Sequence, residues 1–184
     1  SLLFLLTPGD TKAELDTLLN AFLEFEQYYN EDAPLEKVLP KLTKVYGDRY
    51  KGYTLKQLCQ EMHNYYRGNK TFTLQQELFA KPNMQNYPMT PEHADYLFMK
   101  NESELVNLDD VKGRIAAEGA LPYPPGVFIV APGEKWSDID QKYFEVLVGA
   151  IERFPGFVPE IQGVYWDQKA DGKIRVQAEV LKEN

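Results

Sequence analysis

Cys59 and His63 stand four residues apart, one helical turn, a spacing that could bring a thiolate and an imidazole together for nucleophilic catalysis or metal binding. Either chemistry needs more than the pair. Cys59 falls within the apolar series Leu55, Leu58, Cys59, Met62 and Tyr66, the pattern of a packed helix face, and the other histidine, His93, follows a helix start. The expectation is a structural cysteine and no metal site. Serine chemistry has little to work with: Ser1, Ser103 and Ser137 are the only serines, no GxSxG is present, and Ser137 reads as a helix cap. The glycine-rich phosphate cradles GxGxxG and GxxxxGKS/T are also missing. Twelve Tyr and ten Phe fall mostly at core-facing spacing, which points to packing or an interface rather than a stacking platform. A net charge of −8 without clustered Lys and Arg excludes a phosphate-backbone binder, so no nucleic-acid partner is expected.

The stretch EGALPYPPGVFIVAPGE, residues 118–134, is more informative. Pro122, Pro124 and Pro125 each fix a φ angle and lower the entropy lost on folding, while Gly126 permits a turn. Pro122 and Pro125 have the PxxP spacing of an SH3 ligand, but they feed at once into the apolar run Val127 to Ala131, closed by Pro132-Gly133. The reading is a rigid approach to a buried strand. Glu118 is the only carboxylate between Ile115 and Ala131, placed directly before this stiff segment. Held at the mouth of a site, such a group attracts a cationic small molecule. A solvated side chain or an ion pair with Arg114 are the alternatives.

These residues depend on elements that must position them. Leu2 to Leu6 reads as a strand covered on both faces, ended by Thr7-Pro8-Gly9-Asp10. Thr11 and Glu14 make a capping box for a helix striped by Leu15, Leu18, Leu19, Phe22 and Leu23, reaching about Tyr29. The rest of the chain lacks parallel-sheet patterning, so this strand is expected to belong to a sheet formed upstream, with a domain boundary in the proline-flanked passage Asn30 to Pro40. Helices are expected after Thr54, within 70–80 and after Thr90, where Pro91 occupies the first turn. Strands follow at ELVNL and VFIVA, then a helix capped by Ser137 with the stripe Ile139, Tyr143, Val146, Leu147, Ala150 and Ile151. A C-terminal hairpin joins IQGVYW to KIRVQAEVLK through Ala170-Asp171-Gly172. The fold class is α+β, mixed helices and short strands ending in a β-hairpin, behind one strand-helix unit. No apolar run is long enough to span a bilayer, and a single cysteine forms no internal disulfide, which fits a cytoplasmic setting.

The segments at 113–134 (GRIAAEGALPYPPGVFIVAPGE), 53–63 (YTLKQLCQEMH) and 153–165 (RFPGFVPEIQGVY) resemble the C-terminal region of the bacterial ornithine/lysine/arginine decarboxylases, in their ornithine branch. The proline-dense LPYPPG followed by PGE is the specific part of the likeness. The resemblance implies that residues 1–30 end a small aminotransferase-like domain and that 31–184 form the family's C-terminal domain. It implies a pyridoxal 5'-phosphate (PLP) enzyme converting ornithine to putrescine and CO2. Lysine or arginine decarboxylases, or a non-enzymatic interaction module of the same fold, are the alternatives. The family's Ser-x-His-Lys cofactor motif has no counterpart here, so the expectation is no catalytic, cofactor-binding or metal residue in this chain. Its part would be to complete the subunit, wall the active-site entrance and support a homodimer that assembles into larger rings. Glu118 and Tyr123 are the substrate-access candidates for a small cationic amino acid.

Overall fold

The computed structural model describes residues 4–83, 87–123, 126–168 and 174–183 of the chain. Its contacts divide the chain into two compact units, residues 1–62 and 63–184. In the first unit, α1 (Lys12–Asn30) starts with the expected capping box: Glu14 N donates to Thr11 Oγ1 (3.3 Å) and Thr11 N donates to Glu14 Oε2 (2.8 Å). The helix is amphipathic but none of its residues is buried, and Leu19, Phe22, Leu23 and Phe25 are all exposed. Burial begins after it. Ala33, Leu35, Tyr50, Leu55 and Leu58 form the packed interior, contributed by α2 (Leu35–Val38), α4 (Gly47–Tyr50) and the start of α5 (Leu55–Gly68), with α3 (Pro40–Val45) between them in sequence. Arg49 and Glu61 form an ion pair of 2.8 Å that Tyr53 joins through its hydroxyl.

Phe4 to Leu6 make no ladder with the described residues and Leu5 is 87% exposed; the sheet expected to hold this strand was assigned outside them. Apolar content alone does not make a strand, which needs a neighbour to satisfy its N–H and C=O groups, and none among the described residues pairs with it. Leu2 and Leu3 lie outside the described residues.

In the second unit α6 (Thr71–Leu78), a 3-10 turn (Lys81–Asn83) and α7 (Pro91–Met99) precede β1 (Ser103–Asn107). Thr90 caps α7, accepting from His93 N, with Pro91 in the first turn where its missing N–H costs nothing. The long helix α8 (Asp138–Arg153) has a full capping box, Ser137 with Asp140, and buries Tyr143, Phe144, Val146, Leu147, Ala150 and Ile151. A three-stranded antiparallel sheet has the order β1, β5 (Ile174–Leu181), β4 (Val164–Gln168), with Val164 opposite Ala178 and Gln168 opposite Ile174. This is the expected hairpin. Ala178 and Val180 are fully buried while Arg175 is exposed, so the alternation in sequence is the alternation of faces. The turn at Ala170-Asp171-Gly172 lies outside the described residues. Trp136, Phe144, Val111, Val130, Val164, Ala178 and Val180 meet in one apolar core.

Two strand assignments differ from expectation. The run Val127 to Ala131 makes only a bridge, Ala120 to Val130; the strand β2 is Leu121–Tyr123, at the start of the proline run, paired with β3 (Glu160–Gln162). Pro122 lacks an N–H, but β2 has one neighbour only, so the lost donor need not break a second ladder. IQGVYW, expected as one strand, is divided at Gly163 between β3 and β4, which belong to different sheets. Gly163 has φ +73°, a conformation that turns the chain out of the ladder. Pro124 and Pro125 lie outside the described residues.

Candidate functional site

The segment 113–120 is clamped on two sides. Toward β5, Ala117 N donates to Glu179 O (3.1 Å) and Leu181 N to Ile115 O (2.8 Å). Toward residues 129–136, Gly113 N donates to Trp136 O (2.8 Å), Ala116 N to Glu134 O (2.8 Å) and Ala120 N to Val130 O (2.8 Å). Glu118 is therefore set on a backbone bonded to both neighbours, and its side chain is half-buried. Its carboxylate accepts a short hydrogen bond from the hydroxyl of Tyr165, the second residue of β4. That bond, with burial and the charges of Glu118 and Glu179, pushes the Tyr165 phenol up to about 12, so it stays a donor across the physiological range.

Glycines let these pieces approach. A Cβ added at Gly163 would stand 2.0 Å from Gly119 O, so the β3–β4 junction sits directly on the residue after Glu118. Tyr123 ends β2 opposite Glu160, is 51% exposed, and lays its ring over Gly126, where an added Cβ would be 3.0 Å from the ring. Among the described residues no hydrogen bond joins Glu118 to Tyr123. Nor does Glu118 pair with Arg114, which instead donates through Nη2 to Glu104 Oε1 (2.7 Å) and Leu181 O (2.8 Å), with Nε 3.3 Å from Glu183 Oε1. Tyr165 is the partner that sequence reading missed. It lies 47 residues away, and nothing in the local pattern marks it.

Burial raises the Cys59 thiol above its ordinary value, which disfavours the reactive thiolate, while His63 and His93 are exposed. Among the described residues no group of three His, Cys, Asp or Glu is placed to hold a metal, and no helix is long and apolar enough to cross a membrane.

Residues 72–182 match the model of the Orn/Lys/Arg decarboxylase C-terminal domain. The chain belongs to this family. It is 49% identical over 93% of its length to an inducible ornithine decarboxylase of Lactobacillus sp. and 48% identical over 99% to an inducible ornithine decarboxylase of Escherichia coli. It spans 23% and 25% of those two proteins, about a quarter of their length. Its fold is similar to that of lysine decarboxylase A from Pseudomonas aeruginosa, with a TM-score of 0.84 at 31% identity, covering 95% of this chain and 23% of the other. The family's α+β C-terminal domain is thus the fold of this chain.

Proposed function

We propose that this chain is the C-terminal part of a cytoplasmic PLP-dependent ornithine decarboxylase that converts ornithine to putrescine and CO2. The observation that carries the reading is the contrast between 49% and 48% identity to two ornithine decarboxylases and 31% to a lysine decarboxylase. The cofactor's chemistry is to accept the electrons released when the α-carboxylate leaves. The family's Ser-x-His-Lys anchor has no counterpart in the sequence, since neither His63 nor His93 is followed by a lysine, and among the described residues no lysine is buried. The anchor and the acidic partner of the ring nitrogen are assigned to the remainder of the subunit. Residues 1–30 complete an upstream small domain and 31–184 form the C-terminal domain. The apolar stripe of α1, none of it buried, followed by burial from Ala33 onward, supports that division. The chain completes the subunit, helps build a homodimer that assembles into larger rings, and borders the path of a cationic amino acid.

Ornithine and lysine differ by one methylene, so the full-length protein is expected to favour ornithine over lysine by roughly 10–200-fold in kcat/KM. CO2 release measured with ornithine, lysine and arginine tests this, and a preference for lysine or arginine, or no release from any of them, overturns it.

Glu118 acts on the approaching substrate before the chemical step, with Tyr165 fixing its orientation and Tyr123 beside the path. In the full-length enzyme Glu118→Gln is then expected to raise KM for ornithine by about tenfold with little change in kcat, since the lost attraction is made in binding. Tyr165→Phe frees the carboxylate without removing its charge and should raise KM by a smaller factor. Steady-state kinetics at low salt, where screening is weakest, give the readout. Parental KM in both variants would remove Glu118 from the entrance.

A further inference from the structure

A cleft of about 210 Å³ lies in the second unit, lined by Leu78, Phe79, Tyr87, Phe128, Ile129 and Glu134, apart from the residues assigned to the entrance. Phe79, Tyr87 and Phe128 are at least half exposed, an unusual amount of aromatic surface around one small space. Glu134 is the opposite. It is 6% exposed, and its Oε2 accepts from Ala131 N at 2.6 Å. The Tyr87 hydroxyl also donates to this carboxylate, and the bond holds the phenol proton above its ordinary range. Both neighbours offer hydrogens to its oxygens. Yet among the described residues no Lys, Arg or His pairs with Glu134. A carboxylate taken out of water without a cation is costly, and a cation entering the cleft would relieve that cost.

We propose that this cleft is an ammonium site: Glu134 at its buried wall supplies the opposite charge, and the rings of Phe79, Tyr87 and Phe128 supply negative faces for a primary alkylammonium. The walls are set before any ligand arrives. Gly133, at φ +86°, brings the Ala131–Glu134 turn so close to the segment after Tyr87 that an added Cβ would lie 2.7 Å from Met89 O. Liquid water takes roughly 30 Å³ per molecule, so the space equals about seven waters, enough for a four-carbon diamine. That a diamine, the class of compound left when a basic amino acid loses CO2, is the occupant rests on the reading of the parent enzyme; the cleft's selection of an ammonium group does not.

Chemical-shift titration of the 184-residue chain with 1,4-diaminobutane, n-butylamine and the uncharged 1,4-butanediol tests the site. Both amines are expected to shift the Tyr87 and Phe128 rings saturably below ~10 mM, and the diol is not. Glu134→Gln should weaken amine binding at least tenfold, and Phe79→Leu, which keeps apolar volume at an exposed position, about two- to fivefold. Where the Gln variant fails to fold, the Leu variant decides. Diol binding as tight as the amines', no saturable shift with either amine, or affinities unchanged in both variants overturns the proposal. Loss of ornithine activity in the full-length protein would refute the parent reading while leaving these titrations as they stand.

Discussion

Gly163→Ala is expected to destabilise the second unit by about 3–5 kcal/mol, a large share of a typical domain's roughly 5–15 kcal/mol. Two costs add. At φ +73° an L residue is strained by roughly 1–3 kcal/mol. The new methyl would also stand 2.0 Å from Gly119 O, a backbone atom that no rotamer change can move aside. Relief requires β4 to withdraw from the 118–120 segment, and Tyr165 moves with it. The variant should therefore show a lowered denaturant midpoint and, in the full-length enzyme, a KM for ornithine raised at least as far as in Tyr165→Phe. Gly113→Ala makes a useful contrast, since Gly113 shares the positive φ (+77°) but has open space around its Cβ position. It should lose only the strain component, by urea titration. Equal midpoints for the two variants would show that the close approach to Gly119 contributes nothing.

The same junction shows where the sequence was legible and where it was not. Thr11 with Glu14 and Ser137 with the stripe of α8 are local signals, complete within one or two helical turns, and the structure forms both caps with the expected pairs. The hairpin of β4 and β5 is legible for the same reason, since alternation along β5 already separates buried Ala178 and Val180 from exposed Arg175. The Leu2–Leu6 run marks the limit of a local signal: an apolar strand needs a neighbour for its N–H and C=O groups, and Phe4 to Leu6 find none among the described residues. VFIVA and LPY exchanged roles because apolar content was weighted over pairing, and an edge position makes Pro122 tolerable in a ladder. The site was less legible still. Glu118 stands out by being alone in its stretch, but its partner Tyr165 depends on Gly119 and Gly163 meeting across 44 residues of chain, which no periodicity encodes. Glu134 stood out only as the last residue of the PGE likeness, although the turn before it is what sets its carboxylate beside Tyr87.

Trp136→Ala is expected to cost about 3–5 kcal/mol, with Trp136→Phe within roughly 1 kcal/mol of the parent. Trp136 is 1% exposed and packs against Phe144 with ring centroids 5.5 Å apart, so truncation to Ala leaves a large apolar cavity in the core. Its indole Nε1, however, has no hydrogen-bond partner among the described residues. A buried unpaired donor costs about 1–3 kcal/mol, and both variants remove it. In Ala this gain is small against the cavity; in Phe it offsets the lost portion of the ring, while the contact with Phe144 is kept. The backbone of Trp136 bonds Gly113 and Arg114, so the residue also anchors the turn that carries Glu134 and the start of the segment that carries Glu118. Core loss in Trp136→Ala should consequently weaken both amine binding at the cleft and the entrance effect, whereas Trp136→Phe should leave each intact. Denaturant midpoints decide the stability claim. If Phe proved as damaging as Ala, the indole N–H would have to be making a bond worth keeping, and the unpaired donor would be ruled out.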